Sequence, residues 1–312
     1  LIKNKIRNII GASNIQRLHI VRKGFQELRR TFKQPDDSHG YPIPIEEIRN
    51  KLVEVGISSG DAVVVHTGTT NLLTASSKEP EDTYGIITYS RQITDMLIEL
   101  VGPQGTILMP TDPAGSGRMR SMNNDIFDYR KTPTGRGLVC ELFRRRKDVI
   151  RSVNPWQNMS GWGKHAEYLL MDHEKSTPYA MDSHSPWFKL NNVKGKVIIM
   201  GRRFEVNSTH HVVGAIHHDQ YPGIYLDKPY VFKYMDRNNV MKQMNMMLHA
   251  SLWNNKSLND FGDYLNKIYN IYKIVNLGKT FLISYDSTAQ YDAICSEMRK
   301  GVYFSDFIEF NK

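Results

Sequence analysis

Four histidines stand close together in this 312-residue chain: His210, His211, His217 and His218. Imidazole is the one side chain whose unperturbed pKa lies near neutrality, so such a cluster can move protons or bind a metal. Metal binding fits poorly. On a helix His210 and His217 lie two turns apart on one face, too far for a compact bidentate site, and the adjacent His210 and His211 point in different directions. The only two cysteines, Cys140 and Cys295, provide neither a disulfide framework nor a cysteine-based zinc site. Proton transfer remains, and no metal is expected. The phosphate-binding loop ending in Gly-Lys-Ser/Thr, the Gly-x-Ser-x-Gly elbow, the paired-histidine metalloprotease helix and the dinucleotide glycine fingerprint are all absent from the sequence.

A histidine works as a base only where rigid elements hold it. Residues 61–66 and 105–110 read as buried strands on either side of an apolar-periodic helix over 87–101, and 196–201 reads as a third core strand. This alternation predicts an α/β core with at least partly parallel pairing. Helices are expected from Pro44 to near Gly56, over 137–146 and over 165–173. After Pro222 the texture changes: 230–234 and 240–246 read as antiparallel strands, followed by helices and a last strand over 281–285.

Composition narrows the function. Hydrophobic residues make up 40% and charged residues 23%, ordinary for a globular protein. No apolar run approaches the length of a spanning helix, and no N-terminal stretch has the apolar core of a signal peptide, so a cytoplasmic location is expected. The net charge of +9 is unevenly spread. Residues 1–34 hold nine basic side chains against the single acid Glu27, which accounts for nearly all of it. Two domains follow from this: a basic amphipathic helical leader over 1–34, and an α/β domain over 35–312. In the leader Leu18, Val21, Phe25, Leu28 and Phe32 share one helical face. Such a face suits peripheral contact with an anionic membrane surface, packing on the body, or a homodimer interface. A basic footprint confined to a leader argues against nucleic acid as the main partner. A nucleic-acid arm would show a steep salt dependence of DNA binding that vanishes on deleting 1–34.

Several stretches in order carry a resemblance. They are 60–67, 102–111, Phe127-Asp128 with Thr132-Pro133, 135–145, 151–155, Ser185-Pro186-Trp187, 194–201 and Asn207-Ser208-Thr209-His210-His211. Over some 250 residues, from about Ile45 to Met298, the chain resembles the aminoglycoside 3-N-acetyltransferase (antibiotic acetyltransferase) family. The resemblance implies an α/β fold with a central mixed sheet, separate from the more common acetyltransferase fold, with acetyl-CoA as co-substrate. It further implies His211 as general base, flanked by Ser208 and Thr209. His66, the Thr67-Gly68-Thr69-Thr70 loop, Thr111 and Arg144 are then expected at the cofactor, and Asp128, Asn154, Trp156, Asn158 and Asp219 at the acceptor. This fits elementary chemistry: a thioester is already activated, so the enzyme must place the acceptor, take a proton and stabilise an oxyanion.

The departures matter as much. Where the family commonly reads Ser-x-His-Pro this chain has Ser152-Val153-Asn154-Pro155, the serine a few residues later is Asn158, and the glutamate one turn after the base is Gly214. Asp219, Glu205 or Asp236 are candidates to replace that carboxylate. The expectation is an acyl-CoA-dependent N- or O-acyltransferase acting on a small-molecule sugar, favoured as a nucleotide-linked amino sugar of cell-envelope polysaccharide biosynthesis. Aminoglycoside acetylation, or a non-catalytic binding module, are the alternatives.

Overall fold

A computed structural model describes residues 40–79, 85–115, 117–221, 224–250 and 255–307. The leader over 1–34 and its membrane or dimer contacts lie outside these residues. Helix α1 (Ile45–Glu54) precedes strand β1 (Ala62–Thr67), the short helix α2 (Thr69–Leu72), helix α3 (Ile86–Val101) and strand β2 (Thr106–Pro110). Next come α4 (Gly117–Met122), β3 (Ile126–Asp128), α5 (Leu138–Arg144), β4 (Ile150–Arg151), β5 (Met159–Gly163), α6 (Ala166–Leu170), α7 (Pro186–Asn192), β6 (Lys196–Met200) and α8 (Thr209–Ile216). The chain continues through β7 (Tyr230–Met235), β8 (Met241–Met246), α9 (Asn255–Tyr269), β9 (Lys273–Leu277), β10 (Thr280–Asp286) and α10 (Ser287–Arg299).

Seven strands form a mixed sheet in the order β4-β5-β2-β1-β6-β10-β9. The three central strands are parallel, with Val64 opposite both Leu108 and Val197, while β5 and β10 flank them antiparallel. This is the expected α/β class, with parallel pairing confined to strands covered on both faces. Alternation along β1 explains the two layers of core. Val64 packs with Leu108, Val197 and Ile199 on one face against α8 and α10 residues such as Val213 and Ile294. Val63 and Val65 face the other way with Ile107 and Ile198, onto Ile48 and Leu52 of α1 and Ile93 and Leu97 of α3.

The antiparallel pair foreseen after Pro222 is β7-β8, with Tyr230 opposite Met246. It was not foreseen that β3 joins β7 in parallel to make a separate three-stranded sheet. Three residues carry too little periodicity to read as a strand alone. This small sheet has its own core, in which Phe127, Phe232 and Met246 are buried, and Trp156 packs against it. Among the described residues, no helix is long and apolar enough to cross a membrane.

Candidate active site

Because β1, β2 and β6 run parallel, their C-terminal ends open on one edge of the sheet, where α/β proteins bind ligands. A cavity of about 260 Å³ lies there. His66 and Thr67 of β1 line it, as do Asp112 beyond β2, Arg202 and Ser208 beyond β6, Arg136 and Cys140 at the start of α5, Gln157, and Trp187 of α7. The loops after β1 and β6 touch. Gly68 donates its N–H to Met200 O at 2.7 Å, and a Cβ on Gly68 would collide with Gly201 O, so only glycine permits this approach.

Arg136 grips Asp112 at the cavity wall, its Nε lying 2.8 and 2.7 Å from the two carboxylate oxygens. The His66 ring stacks on Trp187 at 5.6 Å, and its buried Nε2 has no hydrogen-bond partner. Burial and the nearby Arg136 charge push the His66 pKa down to about 3, so the ring is neutral. Burial raises the Cys140 thiol to about 12, which keeps it protonated and unreactive.

One turn beyond Ser208, at the start of α8, His211 belongs to a cluster of three imidazoles. Its ring lies parallel to that of His249 at 3.7 Å and beside that of His210 at 4.0 Å, and the two Nε2 atoms of His210 and His211 are 3.1 Å apart. Since each neutral imidazole carries one N–H, one of these nitrogens donates and the other accepts. Burial, then the neighbouring His210, His249 and Arg136, hold His211 well below the usual histidine pKa. His210 and His249 are each lowered to about 3, chiefly by burial. The trio is therefore uncharged at neutral pH. Among the described residues, no group of three or more histidines, cysteines or acids is disposed to hold a metal ion.

Of the residues expected from the sequence, His66, Thr67 and Ser208 meet at the cavity, and His211 lies one turn from it. Gly68 is held by Met200, so its amide is not open to an oxyanion; Thr69 and Thr70 begin α2. Thr209 is buried, its N–H donating to Asn207 Oδ1 at 3.0 Å. Several others serve the fold. Thr111, fully buried, donates to Asn158 Oδ1 at 3.0 Å, and the same oxygen accepts from Arg151 Nε at 2.7 Å. Asn154 stands where the family histidine was expected; its Oδ1 accepts the Trp156 and Gln157 amides at 2.9 and 3.0 Å. Arg144 is not free for coenzyme phosphates, being tied to Glu141 at 2.6 Å with its side chain 5% exposed. Asp128 caps a turn by accepting the Arg130 amide at 2.9 Å. None of Asp219, Glu205 and Asp236 supplies the missing carboxylate: they pair with His218, Arg202 and Lys242. Trp156 does reach the histidines, its ring 6.4 Å from that of His249.

Sequence reasoning missed Arg136, Asp112, Gln157 and His249 as site residues. Arg136 lay within a stretch that carried the resemblance. His249 stands alone in sequence, and only the turn that brings it beside Tyr225 seats it on His211.

The comparisons with known proteins agree with this architecture. A profile of the family described as aminoglycoside 3-N-acetyltransferase matches residues 83–298. The SPbeta prophage-derived aminoglycoside N(3')-acetyltransferase-like protein YokD of Bacillus subtilis (strain 168) is 25% identical over 193 residues. That alignment covers 56% of this chain and 66% of the relative, just under two thirds of its length. Among solved structures, aminoglycoside acetyltransferase AAC(3)-IVa superposes with a TM-score of 0.65 at 18% identity, covering 86% of this chain and 97% of that one. The AAC-IIIb binary complex with CoASH superposes with a TM-score of 0.63 at 18% identity, covering 82% and 96%. At such identities the superpositions establish the fold.

Proposed function

The chain belongs to the aminoglycoside 3-N-acetyltransferase family, and on that premise we propose that it is an acyl-CoA-dependent N- or O-acyltransferase whose acceptor is a small sugar. The observation that carries the reading is the neutral His211, fixed by the His210 and His249 rings one turn from Ser208 of the cavity. The cavity suits the thioester arm of acetyl-CoA, because the unpartnered His66 Nε2 and Ser208 offer polar contacts between the apolar faces of Trp187 and Val206. Acetyl-CoA supplies the activated acyl group. His211 takes the proton from the acceptor N–H or O–H as that atom bonds to the thioester carbonyl carbon. The C–S bond then breaks, and the proton passes from His211 to the departing thiolate sulfur.

Burial keeps His211 in its unprotonated, accepting form throughout the physiological range, and it also weakens the ring as a base, because general-base catalysis is most efficient when the pKa lies near the working pH. Replacing His211 by alanine lowers kcat roughly 10²- to 10⁴-fold while CoA affinity stays nearly constant. The test is thiol release from acetyl-CoA with a panel of sugars, beside calorimetric titration of CoA. Full turnover in His211→Ala defeats the assignment, and absence of CoA binding defeats the acyltransferase reading.

For the acceptor we favour a nucleotide-linked amino sugar of cell-envelope polysaccharide synthesis. The basic amphipathic leader in the sequence and the substitutions at Asn154 and Gly214 support this choice. The second reading, acetylation of an aminoglycoside amine, is favoured by family membership and by a superposable AAC(3)-IVa mutant in complex with apramycin.

A further inference from the structure

Acyl transfer needs a hydrogen-bond donor that none of the groups described so far supplies. When the acceptor atom bonds to the thioester carbonyl carbon, the π electron pair moves onto the carbonyl oxygen, and a donor aimed at that oxygen lowers the barrier directly. Most donors of the cavity wall are engaged. The Gly68 amide bonds Met200 O, Arg136 is paired with Asp112, Arg202 Nε with Glu205, and the Thr67 hydroxyl turns to the Cys140 thiol.

Gln157 differs from these. It lines the cavity and is 9% exposed, yet its side-chain amide makes no hydrogen bond to any described residue. Neither atom of that amide is among the sealed polar groups, so the amide opens into the cavity. Its backbone, in contrast, is fixed. Asn154 Oδ1 accepts the Trp156 and Gln157 N–H groups at 2.9 and 3.0 Å, and Asn158 Nδ2 donates back to Asn154 O at 3.0 Å. The Thr111 N–H, just past β2, bonds Asn158 O at 2.9 Å and ties this turn to the central sheet. A neutral amide on a rigid turn, at a buried wall where water competes little, is a preorganised donor for developing negative charge.

We propose that Gln157 is a catalytic residue whose Nε2 donates to the thioester carbonyl oxygen and stabilises the oxyanion formed there. As the C–S bond breaks, the electron pair returns from that oxygen and the carbonyl re-forms on the acceptor. This rests on acyl transfer at His211, but its first test needs no acceptor. The carbonyl stretch of [1-13C]acetyl-CoA is read by difference infrared spectroscopy on the full chain. Binding to the wild type is expected to lower that frequency from its value in water. Gln157→Leu, close in volume and without a donor, should lose the lowering while its CoA affinity stays within about 2-fold. Gln157→Glu should lose it as well. Because the amide bonds nothing in the ligand-free protein, Tm of the leucine variant should hold. In thiol release with glucosamine and with gentamicin as acceptors, Gln157→Leu should lower kcat roughly 10²- to 10³-fold at unchanged KM, the usual effect of one oxyanion donor. A bound frequency equal in wild type and Gln157→Leu overturns the proposal alone, as does a raised sugar KM at full kcat, which would make Gln157 an acceptor contact. Failure of the wild type to bind CoA overturns the acyltransferase reading as well.

Discussion

Lowering the pH from 8 to 5 should strongly destabilise this protein through its buried histidines. His66, His173 and His210 are 9%, 0% and 2% exposed, and burial lowers each to about 3. Their folded pKa values lie below the unfolded value of about 6.5, so the unfolded chain binds more protons between those limits. Stability is therefore fully present above pH 6.5 and is lost as the pH falls toward 3. At pH 5 each ring withholds about 2 kcal/mol, from 1.5 pH units at about 1.36 kcal/mol each, and the three together about 6 kcal/mol. That rivals the whole stability of a typical domain, roughly 5–15 kcal/mol. For a chain of this size Tm should drop by at least about 10 °C. The assay is circular dichroism melting at pH 8, 7, 6 and 5. His210→Phe keeps ring volume against Phe304, 4.8 Å away, and removes one titrating group, so it should recover about 2 kcal/mol of the loss at pH 5. Equal Tm at pH 8 and pH 5, or an identical fall in His210→Phe, would refute the reasoning.

Other outcomes follow from the same geometry. The ring-proton NMR signals of His211 should stay constant from pH 8 to 6, because burial and its neighbours keep it neutral there; a titration centred near 6.5 would remove the low-pKa base. Asn154→Ala leaves the Trp156 and Gln157 amides without their acceptor and should lower stability by roughly 2–4 kcal/mol in urea unfolding at unchanged slope. An unchanged midpoint would mean that Asn154 does not hold that loop. Gly68→Ala forces a Cβ against Gly201 O and should cost about 1–3 kcal/mol and weaken CoA binding, whereas wild-type Tm and affinity would show that the loops after β1 and β6 yield freely.

Much of this molecule could be read from local pattern. Buried valines and isoleucines at β1, β2 and β6, with an apolar-periodic helix between the first two, sufficed for the α/β core, because alternation and helical period are properties of short segments. The order of the eight matching stretches over some 250 residues carried the family, and Asn207-Ser208-Thr209-His210-His211 among them pointed to His211 as the candidate base. The same local logic failed for β3, which is too short to show a period and exists as a strand only because β7 lies beside it.

The resemblance ranked Thr111, Arg144, Asn154 and Asn158 with the ligand-binding groups, and each has the chemistry for it. Folding spends them elsewhere: Arg144 on Glu141, Thr111 and Asn158 on each other, Asn154 on the amides of its own loop. Whether a polar side chain faces a ligand or its own protein depends on the partners that the folded backbone sets beside it, local for Arg144 and Asn154 and 47 residues away for Thr111. His249 shows the converse, a residue without a motif that chain closure sets 3.7 Å from His211. Segment-level periodicity and motif order are written along the chain and so determined the class and singled out His211 for test. The burial that lowers the histidine pKa values, and contacts such as His249 on His211 or Thr111 on Asn158, arise between segments tens of residues apart, and only tertiary packing decided them.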